Sequence, residues 1–336
     1  MNFSKILYNF FMENLFEIRN LNMNFPVKDA LTGITKGYVH ALNGINLDIK
    51  RDETIGLVGE SGSGKSTLGN CILRLLNPTS GKITFEGEDI TNKKKKDLKT
   101  FRKKARIIFQ NPYTSLNPVM KIYDILKEPL IIHGIKDKKE IDEKIRNILK
   151  AAGFEEEILS RYPHEFSGGQ RQRIAIANAI ISEPEFIVAD EPVSALDVSI
   201  QAQIINMLLE LKEKMNLTML FISHDLSVVK YVSDKVAVMY SGEIVEFADK
   251  NEYFNFHKHP YSEALLNAVP VINGSKDEKN ILEGDLPSPV NLPPGCKFCS
   301  RCSYASEKCR TNNPDLKEIS PGHFVRCFIA QEKQMS

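Results

Sequence analysis

The run Gly59-Glu60-Ser61-Gly62-Ser63-Gly64-Lys65-Ser66-Thr67 concentrates chemistry in this 336-residue chain. Glycines at 59, 62 and 64 let the backbone curl until its N–H groups face one anion. Lys65 can reach the β- and γ-phosphates of a nucleotide, and the Ser66 hydroxyl can ligate Mg²⁺. Farther along, Phe186-Ile187-Val188-Ala189-Asp190-Glu191 is an apolar strand ending in two carboxylates. Neighbouring side chains at a strand end diverge, so Asp190 suits the Mg²⁺ shell and Glu191 suits activation of an attacking water. Met219-Leu220-Phe221-Ile222 is another buried strand, and it ends at Ser223-His224-Asp225. A histidine at the carboxyl end of a sheet can hydrogen-bond a γ-phosphate oxygen, so His224 is a third candidate. Lys65, Glu191 and His224 together point to phosphoryl transfer to water.

These residues need elements to hold them. Thr54-Ile55-Gly56-Leu57-Val58 reads as a buried strand entering the loop, and Leu68, Cys71, Ile72 and Leu75 read as a helix leaving it. That helix adds its N-terminal dipole to the cradle. Before the loop, Leu15, Phe16 and Ile18, then Val39, Leu42, Ile45, Leu47 and Ile49, alternate with polar residues as antiparallel strands do. Phe25 is the aromatic expected against an adenine ring, with Tyr38 as runner-up; a core or turn aromatic is the competing reading. Gly81–Gly87 reads as a strand between turns, Lys93–Lys96 as a solvated loop, and Ile107-Ile108-Phe109 as a second short buried strand ended by Gln110.

From Asn111 to about Ile180 the apolar spacing turns helical, through Ile122, Ile125 and Leu126, then Ile141, Ile145, Ile148 and Leu149. This predicts an inserted helical subdomain, closed by Gly153 and the turn at Tyr162-Pro163. Within it Ser167-Gly168-Gly169-Gln170 opens a further helix and forms a second anion cradle. One nucleotide needs one phosphate loop, so the second cradle is best explained as closing over a nucleotide held by another subunit. Ser194-Ala195-Leu196-Asp197 forms a turn before a helix over Ile200–Met215, and Val236–Phe247 reads as a hairpin around Ser241-Gly242.

Lys plus Arg number 44 and Asp plus Glu 43, a balance that argues against a dedicated nucleic-acid binder. No apolar run reaches membrane-spanning length, so work at a membrane would require docking to chains that span it. Leu7–Met12 is apolar but short and lacks a small-residue cleavage site; it is read as no export signal, which implies the cytosol, and Met12 is an alternative start. Cys71 reads as a core residue, whereas five cysteines crowd between Cys296 and Cys327. In a reducing compartment such crowding points to a metal before disulfides. His257 and His259 read as part of a connector.

In this order the motifs resemble the nucleotide-binding subunit of an ATP-binding-cassette (ABC) transporter. The resemblance covers the phosphate loop at 59–67, the glutamine-loop residue Gln110, the signature Ser167–Gln170, the acidic strand at 186–191, the D-loop at 194–197 and the switch histidine His224. It implies an α/β P-loop NTPase core with an antiparallel β subdomain, an inserted helical subdomain at about 111–180 and a small Cys-rich C-terminal extension. The division expected is a cassette at 14–255 and an extension at 256–336. The stretches Gln110–Pro118, Tyr162–Phe166, Asp197–Gln201, His259-Pro260-Tyr261, Ala264-Leu265-Leu266, Ala268-Val269-Pro270, Leu286–Pro289 and Pro293–Cys296 narrow the resemblance to the oligopeptide, dipeptide and nickel importers. Asn178 departs from it, since an arginine is usual there.

The resemblance implies ATP and Mg²⁺ as cofactors, with Ser66, Gln110 and Asp190 about the metal and Glu191, His224, Gln110 and Lys65 in catalysis. Nucleotide contacts are expected from Phe25, Gly59, Ser61, Gly62, Ser63, Gly64, Lys65, Ser66 and Thr67. They are expected also from Ser167, Gly168, Gly169, Gln170 and Asp197. Cys296, Cys302, Cys309 and Cys327 match four cysteines that hold a four-iron cluster in some relatives, and Cys299 is additional; a [4Fe-4S] cluster, a structural zinc and no metal stay open. The implied partners are a second ABC ATPase, usually a paralogue, two membrane-spanning permease subunits gripping the surface near 111–135, and an extracytoplasmic solute-binding protein. Nucleic acid is not among them, and the implied location is the cytoplasmic face of the cell membrane. A soluble ABC protein acting on nucleic acid or the ribosome, and a cassette serving an exporter, are the rival readings. Cargo stays open among peptides, nickel and other small solutes.

Overall fold

The computed structural model describes residues 14–268 and 287–332, apart from the side chains of Tyr113 and Thr114. Leu7–Met12, the Val269-Pro270 pair and Leu286 lie outside the described residues. The strands, in chain order, are β1 (Asn14–Lys28), β2 (Thr35–Lys50), β3 (Thr54–Val58), β4 (Ser80–Phe85), β5 (Glu88–Asp89), β6 (Ala105–Ile108), β7 (Phe186–Asp190), β8 (Thr218–Ile222), β9 (Lys235–Tyr240), β10 (Glu243–Asp249), β11 (Lys317–Ser320) and β12 (His323–Val325). Two compact units divide the chain: one of residues 1–50, 54–92 and 223–336, the other of 51–53 and 93–222.

The first unit holds an antiparallel sheet in the order β2-β1-β4-β5 and a run of strands in the order β11-β12-β10-β9-β3. Leu15, Phe16, Ile18, Leu42, Ile45, Leu47 and Ile49 are all buried along the long antiparallel pair β1 and β2, whose register is broken by bulges. β3 is different: all five of its residues are buried, as expected for a strand lying parallel to β9. Ser241 and Gly242, at φ 46° and 80°, make the two-residue turn between β9 and β10, where both central residues need positive φ. The Cys-rich segment is not a separate body. Its strand β12 pairs antiparallel with β10, and β11 pairs with β12. Compactness therefore divides the chain differently from the 255/256 boundary expected from sequence.

The second unit holds the parallel strands β8-β7-β6 and the helical insertion. Ile122, Ile125 and Leu126 are buried in helix Ile122–Ile132, and Ile141, Ile145, Ile148 and Leu149 in helix Lys138–Ala151. Each such side chain contributes about 1.5–3 kcal/mol when fully buried. Gly153, at φ 75°, ends the second helix in the left-handed conformation.

Two apolar runs read too far. The helix after the phosphate loop ends at Ile72, and Leu75, 49% exposed, lies beyond it. Arg74 adopts φ 53° and turns the chain there. Ile107-Ile108-Phe109 is not a fully buried strand: β6 stops at Ile108, Ile107 is half-buried and Phe109 is 43% exposed. Within its unit β6 pairs with β7 alone, so it is an edge strand.

Candidate nucleotide site

In the first unit the phosphate loop runs from β3 into helix Lys65–Ile72. Gly59, Gly62 and Gly64 take φ 149°, 81° and 104°, which L side chains rarely adopt. A Cβ on Gly59 would stand 2.2 Å from the Met239 carbonyl oxygen, so the loop also packs too closely for any side chain there. Lys65 is buried and donates to the carbonyls of Gly59 at 2.7 Å and Glu60 at 2.9 Å. Ser63 is fully buried, and its carbonyl accepts from Gly242 N at 2.9 Å. Ser61 and Ser66 are exposed, Thr67 half-buried. Phe25 is half-buried on β1 opposite Val39, whereas Tyr38 is 50% exposed opposite Pro26. His224 is exposed just past the end of β8.

The second unit gathers Gln110, Asp190 and Glu191. β7 is apolar and buried from Phe186 to Ala189, and Asp190 closes it half-buried. Glu191 follows at φ 45°, an uncommon conformation for a side chain of this kind. Its Oε2 accepts from Gln110 Nε2 at 2.7 Å, and its N–H donates to the Ile222 carbonyl at 3.0 Å. The Gln110 bond holds the Glu191 carboxylate beside the end of β7.

Ser167 caps helix Gly168–Ile180. Its Oγ accepts from Gln170 N at 3.4 Å and Gln170 Oε1 accepts from Ser167 N at 3.0 Å, a reciprocal box at the helix N-terminus. A Cβ on Gly169 would meet Ile200 Cγ2 at 2.5 Å. Asp197 caps helix Val198–Met215 by accepting from Ile200 N at 3.1 Å, and this bond with the Ser199 hydroxyl holds its carboxyl below the usual range. The helix starts at Val198 rather than Ile200, because the cap precedes it. Gln201 donates to the carbonyls of Val193 and Leu196, which pins the turn before the cap. Asn178 is half-buried and its Oδ1 finds no partner.

Cys296, Cys299, Cys302, Cys309 and Cys327 line one pocket with about 310 Å³ of atom-free space, partly open to solvent, and none is in a disulfide. The Cys296 N–H donates to the Cys309 carbonyl at 2.8 Å, which ties the two cysteine segments together. Burial pushes the Cys296 thiol up to about 12 and raises Cys302 and Cys327 as well. Among the described residues, no group of three or more His, Cys, Asp or Glu side chains is set to hold a metal ion. Cys71 is fully buried, as expected of a core residue.

His259 is more than a connector. It is buried, caps helix Pro260–Asn267 by accepting from Tyr261 N at 3.0 Å, and lines the cysteine pocket. Burial lowers its pKa to about 4, so it is neutral. Sequence reasoning also missed two contacts of Glu60: its N–H donates to the Tyr261 hydroxyl at 2.8 Å, and its carboxylate meets Arg301. Glu60 occupies a position that the phosphate-loop pattern leaves open, so nothing in the sequence marks it.

Comparison with known proteins shows the family. The family described as ABC transporter matches residues 42–194, and the oligopeptide/dipeptide transporter C-terminal region matches 245–309. The chain is 48% identical over 321 residues to the oligopeptide transport ATP-binding protein AppF of Bacillus subtilis, covering 94% of this chain and 98% of that protein. It is 45% identical to the dipeptide transport ATP-binding protein DppF of Haemophilus influenzae, covering 92% and 94%. A solved dimer of the ATP-binding cassette MJ0796 in a post-hydrolysis state, bound to ADP and Pi, superposes with a TM-score of 0.63 at 28% identity, covering 70% of this chain and 98% of that one. The cbiO1 protein of Clostridium perfringens superposes at 0.62 and 29% identity, covering 73% and 92%. With phosphate loop, capped glycine turn and oriented carboxylate all present, the chain belongs to the ABC transporter family, as one of its ATP-hydrolysing subunits that carry the oligopeptide/dipeptide transporter C-terminal region.

Proposed function

We propose that this chain hydrolyses ATP to drive import of oligopeptides or dipeptides, and that it does so paired head to tail with a second ABC ATPase, a paralogue. The observation that carries the reading is that one chain has two anion cradles at helix N-termini, the phosphate loop at 59–67 and the capped turn at 167–170. Lys65 and the loop N–H groups hold the β- and γ-phosphates of one ATP, with Ser61, Gly62, Ser63, Gly64 and Thr67 lining the cradle. Phe25 stacks on the base. Ser167, Gly168, Gly169 and Gln170 cover the nucleotide of the partner subunit, and Asp197 lies beside them. The triphosphate then favours the closed pair, and hydrolysis releases it.

Glu191 accepts the proton of the attacking water, held in place by Gln110, while Lys65 and His224 stabilise charge on the transferring group. Ser66, Gln110 and Asp190 would each supply an oxygen donor to Mg²⁺, which would neutralise phosphate charge when bound. Residues 14–255 serve as the cassette and 256–336 as the extension, a division by role and not by compactness.

Cargo is assigned to peptides because the similar proteins are described as oligopeptide and dipeptide transport ATP-binding proteins; nickel or another small solute is the alternative. The further partners are two permease subunits, docked near residues 111–135, and an extracytoplasmic solute-binding protein. Attachment is peripheral, through the permease subunits at the cytoplasmic face; among the described residues no helix is long and apolar enough to cross a membrane. Cys296, Cys302, Cys309 and Cys327 would hold a four-iron cluster, with Cys299 additional; that they line one pocket supports this.

Glu191→Gln tests the core of the proposal in the assembled transporter. ATP turnover should fall by about 100-fold or more, and ATP should now trap the closed ATPase pair, read by cross-linking. Turnover at the wild-type rate would remove Glu191 from its role.

A further inference from the structure

The phosphate loop is gripped from the far end of the chain. Arg301 lies on the short turn Cys299–Arg301, closed by its own N–H on the Phe298 carbonyl at 3.0 Å. Its guanidinium donates twice to Glu60, from Nη1 to Oε2 at 2.8 Å and from Nη2 to Oε1 at 3.0 Å. The Arg301 side chain is 6% exposed and that of Glu60 28%, so water screens this fork far less than a surface pair. Arg301 also lies over the Tyr240 ring, 5.9 Å from its centroid, and Tyr261 and Phe298 each pack edge to face against Tyr240. A guanidinium stays protonated in proteins, so the fork pairs a permanent positive charge with the Glu60 carboxylate.

Glu60 sits between Gly59 and Ser61, in a loop whose work is to bind a polyanion. A carboxylate there repels phosphate unless something cancels it. Arg301 cancels it, and the Tyr261 hydroxyl takes the Glu60 N–H at 2.8 Å, so both ends of this residue are held by the C-terminal part of the chain. Gly59 packs against the Met239 backbone on the other side. The loop therefore has a fixed shape before any nucleotide arrives.

We infer that Arg301 is a positioning residue for nucleotide binding: it holds Glu60 in place and cancels its charge, so that the phosphate loop is preorganised for a triphosphate. It makes the cysteine-bearing turn part of the ATP site's support. The inference rests on the reading of 59–67 as a phosphate loop.

The test is ATP affinity of the full-length chain, measured by displacement of a fluorescent ATP analogue, for R301Q, R301K, E60Q and the double variant E60Q/R301Q. R301Q should weaken ATP binding by about tenfold, the loss of one charge-assisted contact near the ligand. R301K keeps the charge but not the fork and should fall between R301Q and wild type. E60Q/R301Q removes the uncancelled carboxylate and should return to within about threefold of wild type, whereas a loss of affinity caused by the broken fork alone would persist in the double variant. Wild-type affinity in R301Q, or a double variant that binds no better than R301Q, would overturn the inference. Should R301Q fail to fold by circular dichroism, R301K against E60Q/R301K makes the same comparison. K65A is the control: its retention of full affinity would sink the phosphate-loop reading, whereas its loss of binding with R301Q unaffected sinks the Arg301 inference alone.

Discussion

Replacing His323 by glutamine tests how strongly the C-terminal strands are locked to the cassette. Glu246 on β10 is fully buried and accepts from His323 Nε2 at 2.7 Å, Lys258 N at 2.7 Å and His259 N at 3.0 Å. His323 Nδ1 faces Glu252 at 3.3 Å. Desolvation alone would lower the His323 pKa and raise that of Glu246. The bonds and charges between them outweigh it, so His323 ends above its ordinary value and Glu246 below its own. A raised histidine contributes stability that is present below its unfolded pKa and lost as pH rises through the folded one. A depressed carboxylate contributes stability that is present above its unfolded pKa and lost as pH falls through the folded one. Both contributions are therefore complete between about 4.5 and 6.5. Breaking a buried pair costs about 3–5 kcal/mol. The low end applies, since two backbone donors remain on Glu246 and glutamine can supply a third. At about 2–4 °C per kcal/mol this is a fall of roughly 6–12 °C in Tm. Thermal unfolding of the full chain at about pH 6 should show that gap, and at about pH 9 a smaller one, because wild type has by then lost the histidine's share. E246Q/H323Q should recover most of the loss at pH 6. A gap under about 1 °C at pH 6, or one that widens with pH, would refute the reasoning.

Two other outcomes are expected. Gly169→Ala places a methyl 2.5 Å from Ile200 Cγ2, an overpacking of about 1–3 kcal/mol at the capped turn. The chain should still fold, ATP-driven pairing and turnover of the assembled transporter should drop by about tenfold or more, and G169A/I200A should regain part of it; a G169A transporter of full activity would contradict the packing argument. Protein purified without oxygen should show the visible absorbance of an iron–sulfur cluster, lost in C302A; a colourless sample with stoichiometric zinc would end the cluster assignment.

Much of the candidate nucleotide site was legible because its parts are local. The phosphate loop, the Ser167–Gln170 box, the Asp197 cap and the apolar strand before Asp190 are each written within a few consecutive residues. Backbone needs at those places, positive φ or an N-cap oxygen, select residue types directly. Leu75 and Phe109 misled because an apolar residue can continue a period after the element has ended. The pairs Glu60–Arg301 and Glu246–His323 were invisible for another reason. Each joins residues more than 70 positions apart, and a lone arginine or histidine in a Cys-rich segment has no period to mark its partner. The sheet position of β11 and β12 was hidden likewise, since strands of four and three residues are too short to show alternation.

The props of the phosphate loop come from Met239, Gly242, Tyr261 and Arg301, all far downstream. A ribosome making this chain adds more than 230 residues between Thr67 and Arg301. At about 5–20 residues per second that takes roughly 12–50 s. During that interval the nascent loop has its glycines and its lysine but lacks its outer supports. The loop thus gains its full set of supports only near the end of the chain's own synthesis.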